Sequence, residues 1–116
     1  MGKFTVDRGT TFTIDIVYKK NGVAATLVGA TIRFTVKTVE YDTNVTDSTA
    51  VITKNVTSHT DAPNGLSLIT LNPADTATLT PGKYNYDIKV AEAGGAVYKI
   101  DEGTIKLDGS PTNRLS

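Results

Sequence analysis

Residues Leu71–Val90, LNPADTATLTPGKYNYDIKV, constrain the fold more tightly than any other part of the chain. Asn72-Pro73-Ala74-Asp75 predicts a capped helical turn: a polar cap, proline at the first helical position, and an acid near the positive end of the turn. The turn is expected to span Pro73–Leu79. Pro81-Gly82 then redirects the chain into a strand on which Tyr84, Tyr86, Ile88 and Val90 share one face. Such a segment sets a helical turn at the rim of a sheet and carries two tyrosines into the core.

The rest of the chain repeats that period of two. Lys3–Asp7 alternates Phe4 and Val6 and is expected as a first edge strand. Thr11–Lys19 puts Phe12, Ile14, Ile16 and Tyr18 on one face and Thr11, Thr13, Asp15 and Lys19 on the other. Thr31–Val39 does the same with Ile32, Phe34 and Val36 against Arg33, Thr35 and Lys37. Ala50–Val56, Leu66–Leu71, Lys83–Ala91 and Ala96–Leu107 complete seven extended segments, with turn signals at Asn21-Gly22, Asn64-Gly65 and Glu92-Ala93-Gly94-Gly95. In the last segment Tyr98 and Ile100 are even but Ile105 and Leu107 odd. A β-bulge at Glu102-Gly103 keeps all four inward, and a strand break is the competing reading.

Seven short strands and one helical turn in 116 residues predict an all-β, immunoglobulin-like antiparallel sandwich with a single core. In that fold the helical turn joins the fifth strand to the sixth. Leu79, Gly82, Tyr84 and Tyr86 then form its structural corner, with Tyr84 as the corner tyrosine and Tyr86 where a core cysteine often stands. The domain is expected over residues 1–107, and Asp108–Ser116 as a mobile tail. Threonine, about one residue in six, suits strands with a wet outer face.

Lysine plus arginine equals aspartate plus glutamate, so the chain has no electrostatic footprint for nucleic acid or an anionic membrane. It has no cysteine, hence no disulfide framework, thiolate nucleophile or sulfur-based zinc site. Met1-Gly2-Lys3-Phe4 leads into no apolar signal region, and synthesis in the cytoplasm is expected. His59, the only histidine, lies in the polar run VTSHTDAPNG with no nucleophile motif and reads as an exposed loop residue. Asp42, Asn44 and Asp47 lack the spacing of a calcium loop. Asp15, Asp87, Asp101 and Glu102 read as surface charges. Asn44 and Asn55 match a glycosylation sequon that has no meaning without secretion. Arg33 and Lys37, with Asp87 and Lys89, read as a solvated charge ladder across two neighbouring strands or, alternatively, as a docking face of mixed charge.

Taken in order, Arg8-Gly9-Thr10-Thr11-Phe12-Thr13-Ile14, Leu27-Val28-Gly29-Ala30-Thr31-Ile32-Arg33-Phe34, Asp47-Ser48-Thr49-Ala50-Val51-Ile52, Leu71 through Val90, Val97-Tyr98 and Glu102-Gly103-Thr104 resemble a family of bacteriophage and prophage immunoglobulin-like domains. The family is similar to the N-terminal domain of phage baseplate upper proteins, and the further C-terminal region of those proteins is not expected here. The resemblance implies a non-enzymatic virion protein, a tail or baseplate accessory or a capsid decoration, made in the bacterial host cytoplasm. It would act by multivalent docking to other virion proteins and to copies of itself, without cofactor, nucleic acid or membrane. Phe4 at one end, and Arg114 and Leu115 at the other, join Arg33, Lys37, Asp87 and Lys89 as candidate docking residues. The alternative is a carbohydrate- or host-surface-binding adsorption module, for which Tyr41 is the aromatic left free.

Overall fold

The alternation of apolar and polar residues sorts the chain into two sheets closing on one core. A computed structural model describes residues 2–38 and 50–109. The elements in chain order are β1 (Gly2–Asp7), β2 (Phe12–Val17), β3 (Lys19–Lys20), β4 (Val23–Ala24), β5 (Thr31–Lys37), β6 (Ile52–Val56), a 3-10 turn (Ala62–Asn64), β7 (Leu66–Leu71), α1 (Pro73–Thr76), β8 (Gly82–Ala91) and β9 (Val97–Asp108). One sheet has the order β1-β9-β8-β5-β6, and β2 pairs with β7 to form the opposing layer. This is an immunoglobulin-like sandwich, as the periodicity predicts. Its seven long strands are the expected ones. The pairing of β1 with β9 is parallel, Gly2 to Gly103 through Asp7 to Asp108. That pairing carries β9 one residue past the expected limit, into the segment read as a tail.

β2 ends at Val17, short of the expected Lys19. Asn21 and Gly22 have φ of 53° and 78°, the two positive angles of a type I′ turn. The turn folds Lys19–Lys20 onto Val23–Ala24 as a separate ladder. The helical turn is also shorter than Pro73–Leu79. Asp75 reaches back to accept from the Asn72 N–H at 2.6 Å, and the helix stops at Thr76. Thr76 is fully buried, and its hydroxyl oxygen accepts from the Gly9 N–H at 2.8 Å. Arg8 donates to the Leu79 carbonyl at 3.3 Å. Both bonds tie this turn to the β1–β2 corner.

Ile32, Phe34, Leu27, Ile69, Leu71 and Val90 are wholly buried between the layers. Leu79 packs at the margin of this core, and Gly82 opens β8 directly opposite Leu107. The Tyr84 ring is buried, and its hydroxyl donates to the Thr80 carbonyl at 2.6 Å, the bond of a tyrosine corner. Tyr84→Phe is expected to cost about 1 kcal/mol, read as a lower denaturant midpoint at unchanged slope.

A bulge interrupts β9, but earlier than Glu102-Gly103. Ile88 faces Asp101 and Lys89 faces Lys99, leaving Ile100 as the extra residue. Gly103 instead lies directly opposite Tyr86. The shifted phase turns Asp101 inward, so this aspartate is no free surface charge: it accepts from the Tyr86 hydroxyl at 2.8 Å. Tyr98 keeps the inner face, opposite Val90, yet is 46% exposed. Beyond Val17 the covering layer gives way to the small β3–β4 hairpin, so Tyr98 is left partly open.

Candidate docking face

The outer face of β5, β8 and β9 carries the charged residues that the sequence singles out, and register decides how they meet. Arg33 stands opposite Lys89, Thr35 opposite Asp87, and Lys37 opposite Asn85. Across the next interface Lys89 faces Lys99, Asp87 faces Glu102, and Lys83 faces Lys106. The ladder of opposite charges expected between Arg33, Lys37, Asp87 and Lys89 is therefore replaced by rows of like charge. A basic row crosses Arg33, Lys89 and Lys99, with an acidic row of Asp87 and Glu102 beside it. Periodicity assigns a residue to a face but leaves the register open, and one register step separates a ladder from a stripe.

Like charges set directly opposite destabilise a sheet by a few tenths of a kcal/mol, at about the scale of any cross-strand pair. Compensation is partial. Lys99 pairs with Glu102 at 3.1 Å and Lys106 with Asp108 at 3.6 Å. Arg33 donates to the Asn55 side-chain oxygen at 3.3 Å. Among the described residues, Arg33, Lys89 and Asp87 make no ion pair.

Phe4 does not belong to an outer docking surface. It is half-buried, with its ring 5.8 Å from Phe12 and 5.2 Å from Tyr86. Arg114, Leu115, Tyr41, Asp42, Asn44 and Asp47 lie outside the described residues.

Two polar clusters were not legible in the sequence. At one end of the sandwich the buried Tyr18 hydroxyl donates to Glu92 at 2.6 Å, and Lys20 meets the same carboxylate oxygen at 2.6 Å. Lys20 also lies 4.8 Å from the centre of the Tyr98 ring. The bond from Lys20, then that from Tyr18, holds the Glu92 carboxyl below its usual range. Burial, followed by Glu92 itself, pushes the Tyr18 phenol up. Glu92 therefore supports the fold above the ordinary carboxylate range, and this support is lost as pH falls through its depressed folded value. The stability gap between wild type and Glu92→Gln is expected to close on acidification from about pH 7 to about pH 3. A gap that stays constant would contradict the assignment.

His59 is the second cluster, and it is not the exposed loop residue expected. Its Nε2 lies 2.8 Å from the Ala30 carbonyl, so Nε2 carries a proton, and its Nδ1 lies 2.8 Å from the Ser67 hydroxyl. The Asp61–Leu66 bridge folds the loop back against β7 and creates this strut. A serine beside a histidine is half of a nucleophile–base pair. Here the serine is 4% exposed, out of reach of a substrate carbonyl, and the pair cross-links loop to sheet. Among the described residues no three His, Cys, Asp or Glu side chains converge as a metal site. No helix among them is long and apolar enough to cross a membrane.

No protein-family model matches the sequence, and no curated protein does. Among solved structures, CopC from Methylosinus trichosporium OB3b is similar over 97% of this chain and 89% of its own, with a TM-score of 0.51 at 13% identity. That likeness shows the fold alone. Murine CRIg is similar at a TM-score of 0.39 and 12% identity, covering 93% of this chain and 92% of its own. AggA, the major subunit of aggregative adherence fimbriae type I from Escherichia coli, is similar at 0.37 and 17%, covering 95% and 91%. What the sheets and the striped face define is an immunoglobulin-like sandwich domain with a candidate protein-docking surface.

Proposed function

We propose that the chain is a non-enzymatic structural protein of a bacteriophage virion, held there by multivalent protein–protein docking through the outer face of β5, β8 and β9. One observation carries the docking: rows of like charge across β5, β8 and β9, which a partner with the opposite stripes would neutralise. Complementary rows fix register and reject wrong partners, which is what charge at an interface does best. Contacts of this kind are weak singly and suffice when many copies sit on a repeating lattice. The virion setting, whether tail, baseplate or capsid surface, is supported by the resemblance of the ordered motifs to phage immunoglobulin-like domains. Imaging of intact particles tests it. A copy at symmetry-related positions is expected, and particles of full composition without the protein would overturn it.

The exposed Tyr98 ring, flanked by Lys20 and Lys99, favours one second reading: a surface that binds host carbohydrate. A glycan screen that gives hits with wild type and loses them with Tyr98→Ala would move the assignment to that class.

A further inference from the structure

We infer that the partner of the striped face is a second copy of this chain, turned over about a two-fold axis that runs between the basic and the acidic row. Two identical faces laid against each other by a two-fold have the axis in their common plane, and every contact then occurs twice. The basic row (Arg33, Lys89, Lys99) and the acidic row (Asp87, Glu102) are neighbours, one register step of two residues apart along β8, or about 7 Å. An axis midway between the rows and parallel to them lays each row on the other row of the second copy. Lys89 then meets Asp87 of the second copy, Lys99 meets its Glu102, and Arg33 meets the neutral Thr35. The face is its own complement.

The rows on either side agree with this rotation. Lys37, Asn85 and Thr104, beyond the acidic row, come to lie over Thr31, Ala91 and Val97, beyond the basic one. No like charges are brought together there. A two-fold along β8 would instead stack basic on basic and acidic on acidic, the arrangement that charge rejects. β8 is the middle strand of the five, so the favoured axis crosses the centre of the face. Lys99 and Glu102 already pair within one chain. Lys89 and Asp87 make no ion pair among the described residues, so both can pair across the axis without giving one up. Twist displaces the flanking strands more than the central one, so these two residues set the register.

The extent of the face sets the strength of the contact. Five strands about 4.8 Å apart, from Lys83 to Ala91 along β8, offer roughly 500 Å², less than the roughly 800 Å² per partner of a stable interface. The dimer is therefore weak in dilute solution and forms where copies are concentrated. The inference rests on the docking reading for the face itself and adds the identity of its partner.

A self-complementary face gives charge reversals a distinctive signature. Asp87→Lys makes both rows basic at β8, and Lys89→Glu makes both acidic. Each variant alone is expected to self-associate at least about tenfold more weakly than wild type, measured by sedimentation at up to about 1 mM protein in low salt. An equimolar mixture of the two is expected to recover wild-type association, because every basic position of one then meets an acidic position of the other. A wild type that stays monomeric, or a mixture no stronger than its parts, would overturn the inference. A monomeric wild type whose Asp87→Lys variant is excluded from particles would leave docking through this face standing, with a different protein as partner. Recovery in the mixture, with Asp87→Lys incorporated into particles as fully as wild type, would keep the dimer and remove the docking reading.

Discussion

The Gly65→Ala variant is expected to lose about 3 kcal/mol or more of unfolding free energy, a fall in Tm on the order of 10 °C. Gly65 has φ of 75°, and a Cβ there would lie 2.5 Å from the Ala25 carbonyl oxygen and 2.6 Å from that of Tyr18. The Tyr18 oxygen is not free to retreat. The Tyr18 carbonyl accepts from the Ala25 N–H at 3.0 Å, and the Tyr18 N–H is held by Gly65 itself. Gly22 supplies the control, with nearly the same φ of 78° and nothing within 4 Å of its Cβ position. Gly22→Ala should therefore show the conformational cost alone, about 1 kcal/mol. Equal losses in the two variants, measured by urea unfolding, would mean that the close approach at Gly65 contributes nothing.

Tyr86→Ala should cost as much or more, about 3–5 kcal/mol, the range for deleting a buried aromatic ring. The ring is 4% exposed and lies 5.2 Å from Phe4 and 5.8 Å from Phe34, so its loss opens a cavity that β1 and β5 cannot both collapse to fill. Since domains of this size hold only about 5–15 kcal/mol in reserve, the variant should sit near the edge of folding. Tyr86→Phe separates the hydroxyl from the ring and should cost about 1 kcal/mol. Burial, then the bond to Asp101, pushes the Tyr86 phenol above the ordinary tyrosine range. Its contribution to stability thus persists below that range and is lost as pH rises through the raised folded value. In an alkaline absorbance titration Tyr86 should ionise only as the chain unfolds, and Tyr86→Phe should remove that late step. Ionisation of Tyr86 in the folded protein would contradict the buried bond.

The faces of the strands were legible because period-two alternation is dictated by burial itself. Ile14, Ile16, Ile32, Phe34, Ile88 and Val90 are inward in the sequence pattern and in the fold. Relations between strands were not. Nothing in GKFTVD announces that β1 will run parallel to β9, since an edge strand reads the same in either sense. The bulge lies at Ile100 and not at Gly103 because its place is set by the pairing of β9 with β8, which the periodicity of one strand does not give. Glu92 lies 74 residues from Tyr18, and His59 reads as loop until the Asp61–Leu66 bridge folds it onto Ser67. The candidate docking face is the sharpest case. Arg33, Lys37, Asp87, Lys89 and Glu102 were visible as outward charges, Lys99 was not singled out, and whether such charges neutralise one another or form stripes depends on register.

That striping is the account's central claim, and one competition experiment tests it. Wild type and the Asp87→Lys/Glu102→Lys variant, co-expressed during phage assembly, would be counted in purified particles by quantitative mass spectrometry. Reversing the acidic row should favour wild type by about tenfold while the unfolding midpoints of the two proteins stay close, since both residues sit on a solvated face. Equal incorporation of the two, at matched stability, would contradict docking through this face.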